Sequence, residues 1–121
     1  MSAVARPAIL LAAALAACTA TEPPPTVDGG DPERGRLQLE QYACGSCHVV
    51  PGVRQAHGTV GPSLGQYARR VYVAGEIPNQ PDILVRFIAD PQEQVPGTLM
   101  PDLGVPEAHA RDMGAYLMSL R

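Results

Sequence analysis

Five consecutive residues, Cys44-Gly45-Ser46-Cys47-His48, constrain this chain more than any other part of it. Two cysteines three positions apart with a histidine directly after the second have the spacing at which a c-type haem is attached. Thiols so placed reach the two vinyl groups on one edge of a porphyrin, and the next side chain reaches the iron from the same face. His48 is therefore the candidate proximal ligand, through one neutral imidazole nitrogen while an acceptor holds the other. A zinc site would need two further ligands, and no cysteine follows position 47. A dithiol redox pair belongs in a strand-then-helix context, whereas the residues flanking these cysteines are patterned as helix.

The rest of the composition is consistent with a fold built around a large apolar group. At 121 residues the chain holds one small domain plus appendages. It has no tryptophan and one phenylalanine, so its own side chains make a thin core, and a buried prosthetic group would supply what they lack. Thirteen prolines and twelve glycines predict short helices joined by irregular chain. The formal net charge is −3 and every basic residue is arginine, which excludes a basic nucleic-acid surface and a lysine-rich docking face.

Residues 1–17 read as an export signal: Arg6, an apolar run from Pro7 to Ala17, and small residues leading into Cys18. The run is too short to span a bilayer as a helix. Leu15-Ala16-Ala17-Cys18 resembles the lipobox of bacterial lipoproteins, in which cleavage precedes the cysteine and lipid is placed on its sulfur. That resemblance makes Cys18 a lipidated mature N-terminus and places the protein on the extracytoplasmic, periplasmic side of a membrane. Cysteine use then closes: lipid on Cys18, haem on Cys44 and Cys47. Residues 18–31 read as the lipidated cysteine and a proline- and glycine-rich tether, which at roughly 3 Å per residue reaches about 40 Å from a membrane. Residues 32–121 form the domain.

Within the domain, Asp31-Pro32-Glu33 has the signature of a helix start, and Gly35, Leu39 and Tyr42 share one face of the helix that leads into the haem motif. Residues 49–65 read as irregular, with His57 an exposed loop histidine in preference to a second iron ligand. Tyr67–Gly75 is predicted as a short helix running into a turn, with Arg69, Arg70 and Tyr72 as options for holding haem propionates. A mostly buried helix is expected over Asn79–Ala89, stopped by Asp90-Pro91. Pro91–Leu103 reads as a loop, and it carries Met100 in the frame Gly97-Thr98-Leu99-Met100-Pro101. A lone methionine is usually core filler, but this one is rigidly framed and suits a loop returning to the far face of the haem, so Met100 is the candidate distal ligand. Pro106–Arg121 is the last helix, with Ala110, Met113, Leu117 and Leu120 on one stripe and Met118 also packing, while His109 falls off the stripe and is expected in solvent.

These motifs together resemble the mono-haem class I cytochromes c: Gly35-x-x-x-Leu39, Cys44-x-x-Cys47-His48, Gly61-Pro62, Gly97-Thr98-x-Met100-Pro101 and Gly114-x-Tyr116-Leu117. The resemblance implies an all-α cytochrome c fold, about four short helices wrapped around one covalent haem c. It implies that the Pro62 carbonyl accepts the proximal histidine's N–H, and that the first and last helices cross tightly at Gly35 and Gly114, against Leu39 and Tyr116. It also implies an electron carrier with His/Met ligation and no catalysis of its own. Asp90-Pro91 through Val105 is particularly similar to small bacterial cytochromes c that work beside haem-copper oxidases. The implied partners are respiratory redox proteins such as a terminal oxidase or a quinol-cytochrome c reductase. A fixed haem subunit of an oxidase or dehydrogenase is the alternative, and an open-site haem sensor a more distant one.

Overall fold

Local chemistry sets most of the helix boundaries in the computed structural model, which describes residues 23–121. The export signal and Cys18 lie outside the described residues. Helix α1 spans Pro32–Gln41 and starts where the sequence predicts: the Asp31 carboxylate accepts from the backbone N–H groups of Glu33 (2.9 Å) and Arg34 (3.0 Å), and proline holds the first helical position. The chain then makes one tight helical turn over Cys44–Ser46, entered through a left-handed Ala43, which carries it into the haem motif.

Tyr67–Gly75 departs from the predicted helix. A single turn over Tyr67–Arg69 gives way to a two-stranded antiparallel hairpin, β1 (Tyr72–Val73) with β2 (Ile77–Pro78), in the register Tyr72 to Pro78 and Val73 to Ile77. The β-branched and aromatic residues favour extended chain, and Ala74 and Gly75 both take positive φ at the turn. Helix α2 spans Pro81–Ala89, starting at the proline that presets its first φ and stopping before Asp90-Pro91. The stretch read as loop from Pro91 begins with one helical turn, α3 (Pro91–Gln94), because the Asp90 carboxylate accepts from the Glu93 N–H at 3.0 Å and caps it. Helix α4 spans Glu107–Ser119.

Helices α1 and α4 cross with their backbones in contact. Gly35 makes this possible, since a side chain there would collide with the Asp112 carbonyl and the Met113 nitrogen. The buried Asp112 carboxylate fastens the crossing: it accepts from the Asp31 N–H (2.7 Å), Arg34 Nε (2.9 Å) and Nη2 (3.0 Å), and Gln38 Nε2 (3.2 Å). The Arg34 guanidinium holds the Asp112 carboxyl below its ordinary range, outweighing the opposing effect of burial.

Gly114 does not serve this crossing, contrary to expectation. It faces Val85 and Leu84 of α2 and Val27 of the entering segment. Tyr116 lies beside Arg36 of α1 and donates its hydroxyl to the Pro51 carbonyl at 2.6 Å. Val27 is itself buried in the core, and Gly30 lies against Arg111 and Ala115 of α4, so chain assigned by composition to the tether is packed from Val27 onward. The inner faces of α1, α2 and α4 converge through Leu39, Leu84, Met113 and Leu117, and these buried side chains wall a cavity.

Candidate functional site: an apolar cavity with a Cys-x-x-Cys-His wall

The cavity measures about 460 Å³ and its lining is overwhelmingly apolar. The turn at Cys44–Ser46 brings Cys44, Cys47 and His48 to one wall, and the loop after α3 brings Met100 to the lining as well. Its back is made by Leu39 of α1, Leu84, Phe87 and Ile88 of α2, and Met113 and Leu117 of α4. Cys44, Cys47 and His48 are neighbours in sequence and Met100 is far from them; folding brings all four to a single cavity.

His48 is already committed to one tautomer. Its Nδ1 lies 2.6 Å from the Pro62 carbonyl oxygen. A carbonyl only accepts, so Nδ1 carries the proton and donates, and Nε2 keeps its lone pair free to bind a metal. Gly61 supplies the space for the ring: an added Cβ would fall on the imidazole itself, closer than real Cβ atoms approach their neighbours. The Gly61 N–H also donates to the Cys47 carbonyl at 2.7 Å, so the Gly61-Pro62 pair touches the haem motif at two points. Gly45 and Gly58 tighten the motif further, the first against Ala56 and the second against the backbone of Cys47.

The two thiols are half-buried, and burial pushes the Cys44 thiol above its ordinary value. A redox or metal-binding cysteine needs surroundings that lower its pKa. Cys44 has the reverse. Among the described residues, no three His, Cys, Asp or Glu side chains gather into a metal-binding group of their own.

Met100 is half-buried at the cavity while its neighbour Leu99 is 94% exposed, so the loop turns the thioether inward and the leucine out. Of the other sequence candidates, His57 is exposed and pairs only its backbone with Val49. Met113 and Met118 are core residues. His109 differs from its expected place in solvent: it is half-buried, and its Nδ1 shares a 3.0 Å hydrogen bond with the hydroxyl of Tyr42, which lines the cavity. Arg70 reaches the cavity, with its guanidinium on the Ser63 carbonyl and over the Tyr67 ring. Arg69 and Tyr72 do not line it. Tyr67 is buried at the cavity, which pushes its phenol up to about 12. Gly61 stands in the Gly61-Pro62 motif, and the structure adds its role as the cradle of the His48 ring; the parts that sequence reading missed are the Asp112 clamp and the side chain of Gln92, whose amide nitrogen donates to the carbonyls of Thr98 (2.8 Å) and Met100 (3.0 Å). Neither Asp112 nor Gln92 has a local pattern that marks it.

The residues present fit a covalently attached haem. Two thiols, a metal-ready imidazole and a thioether line one apolar cavity, and glycine leaves room where the imidazole must stand.

Comparison with known proteins gives the same answer from a different direction. No protein-family model matches the chain. Solved structures that resemble it are cytochrome c2 from Rhodobacter sphaeroides (TM-score 0.56, 23% identity, covering 75% of this chain and 96% of that one) and cytochrome c2 from Paracoccus denitrificans (TM-score 0.53, 16% identity, covering 74% and 95%). At those identities they establish the fold: a helical cytochrome c fold of four helices. Over 88 residues the chain is 33% identical to cytochrome c oxidase subunit 2 of Alkalihalophilus pseudofirmus, covering 73% of this chain but only 24% of that protein. With the cytochrome c of Tetrahymena pyriformis it shares 33% identity over 108 residues, spanning 82% of this chain and 97% of its relative. Identity at that level along nearly the whole of a relative makes this chain a member of the c-type cytochrome family.

Proposed function

We propose that the protein is an extracytoplasmic carrier of single electrons, with haem c attached through Cys44 and Cys47 and its iron held between His48 Nε2 and the Met100 sulfur. The observation that carries this reading is the His48 Nδ1–H to Pro62 carbonyl bond, which leaves Nε2 as the free donor in a cavity that Met100 also lines. Bound there, haem supplies a one-electron ferrous/ferric couple whose potential a histidine–methionine pair sets high. With His48 and Met100 both holding the group, no side of it would be left open to a substrate, so this chain would transfer electrons and catalyse nothing itself. Pro62 orients the imidazole and raises its basicity. Arg70, the one charged side chain lining the cavity among the described residues, suits a propionate.

The mouth of the cavity bears on partners. Val60, Leu99 and Leu103 line it and are exposed, and the chain has no lysine to steer an encounter. We read this rim as a small, transient and mainly apolar contact for a respiratory redox protein, either a terminal oxidase or a quinol-cytochrome c reductase. Likeness to part of an oxidase subunit 2 supports an oxidase, and keeps a fixed oxidase subunit as the second reading. Among the described residues no helix is long and apolar enough to cross a membrane; attachment is assigned to lipid on Cys18, after removal of residues 1–17. The test is a pyridine haemochrome assay on the exported full chain, with midpoint potentials for the wild type and Met100→Ala. The reading expects covalent haem and a marked fall in potential in the variant. Colourless protein, or a variant with unchanged spectrum and potential, overturns it.

A further inference from the structure

We propose that Gln92 is the positioning residue for Met100: its side-chain amide holds the sulfur-bearing loop closed over the cavity. The proposal rests on Met100 being the distal ligand. Among the described residues, no backbone–backbone hydrogen bond involves residues 99–105. The remaining hydrogen bonds of that segment are local, from the Met100 N–H to Thr98 Oγ1 (3.4 Å) and from the Gly104 N–H to Asp102 Oδ1 (2.8 Å). Among the described residues, Gln92 alone ties it by hydrogen bonds to an element outside the loop, donating from Nε2 to the Thr98 carbonyl at 2.8 Å and to the Met100 carbonyl at 3.0 Å.

The base of this tie is firm. Gln92 stands on α3, which the Asp90 cap closes, and which is anchored by the buried Pro91 at its start and the buried Val95 just after its end. The segment it holds is intrinsically loose: Gly97 and Gly104 both sit at positive φ, Leu99 faces solvent, and only Val105 at its far end is buried. A chain without ladder bonds or buried anchors samples many conformations, so two carbonyls gripped by one amide decide how often the thioether points inward. One amide nitrogen has two N–H donors, enough for the carbonyls of both Thr98 and Met100.

The experiment measures how readily added imidazole displaces the distal ligand in the ferric, haem-loaded full chain, followed by the visible spectrum and by midpoint potential. Gln92→Glu keeps the shape but removes the donors; Gln92→Ala removes the side chain; Gln92→Arg restores N–H donors with a group that does not bind iron. Loss of two partly exposed hydrogen bonds is expected to tighten imidazole binding by on the order of tenfold, about 1.4 kcal/mol. The expected result is that gain in Gln92→Glu and Gln92→Ala with a lowered potential, and recovery toward wild type in Gln92→Arg. Imidazole affinities within twofold of wild type in both Gln92→Glu and Gln92→Ala overturn the proposal, provided Met100→Ala binds imidazole far more tightly. If Met100→Ala also binds like wild type, the ligation itself is wrong and the proposal falls with it.

Discussion

Replacing Gly61 with alanine places a methyl group on the face of the His48 ring, and the structure sets the size of the consequence. The ring cannot swing aside freely, because its Nδ1–H is donated to the Pro62 carbonyl at 2.6 Å, and the Gly61 backbone is itself tied to the Cys47 carbonyl at 2.7 Å. Overpacking of this kind costs about 1–3 kcal/mol. Displacing the ring enough to break its bond to Pro62 adds roughly 1 kcal/mol. Stiffening of the unfolded chain by the Gly-to-Ala change returns about 0.4–1 kcal/mol. The net loss is about 2 kcal/mol, a fall in melting temperature of roughly 8–16 °C for a domain of this size. Gly65→Ala is the control within the same loop, since its added Cβ meets nothing nearer than 3.5 Å. The assay is thermal unfolding of the haem-loaded protein by circular dichroism, with the midpoint potential measured alongside. A weakened Nδ1–H bond makes the imidazole a poorer donor and disfavours ferric iron, so the Gly61→Ala potential should rise. Equal melting temperatures for the two alanine variants would refute the reasoning.

Gly35→Ala should destabilise by about 2–3 kcal/mol despite alanine's higher helix propensity, because its Cβ meets α4 backbone and not a flexible side chain; urea unfolding checks it, and a stabilised variant would contradict the close crossing. Asp112 contributes stability that depends on pH. Its folded-state pKa is lowered, so the contribution is complete above the unfolded carboxylate value of about 3.9 and fades as pH falls through the folded value. The melting-temperature gap between wild type and Asp112→Asn should therefore be widest near neutrality and shrink below about pH 4. Tyr116→Phe keeps the ring but leaves the Pro51 carbonyl without its 2.6 Å donor, and is expected to cost about 1 kcal/mol with no change in midpoint potential.

The sequence by itself determined what is written in consecutive residues. The haem motif, the proline-led starts of α1, α2 and α4, the inward stripe of α4 and the framing of Met100 are short-range patterns whose geometry follows from covalent spacing, caps and helical period. Where local patterns compete, reading along the chain failed: Tyr67–Gly75 carries residues compatible with a helix, and the pair of left-handed residues at Ala74-Gly75 turned it into a hairpin. Tertiary structure alone decided which groups meet across long stretches of chain. It set Asp112 against Arg34 and Gln38, Gly114 against α2 in place of α1, His109 against Tyr42, and Gln92 beneath the Met100 loop. The physical reason is that hydrogen bonds and close packing act over a few ångströms in space without regard to position in the chain, so a glycine can mark a close crossing of α1 and α4 while the partners Asp112 finds there in Arg34 and Gln38 leave no mark until the two helices have folded together.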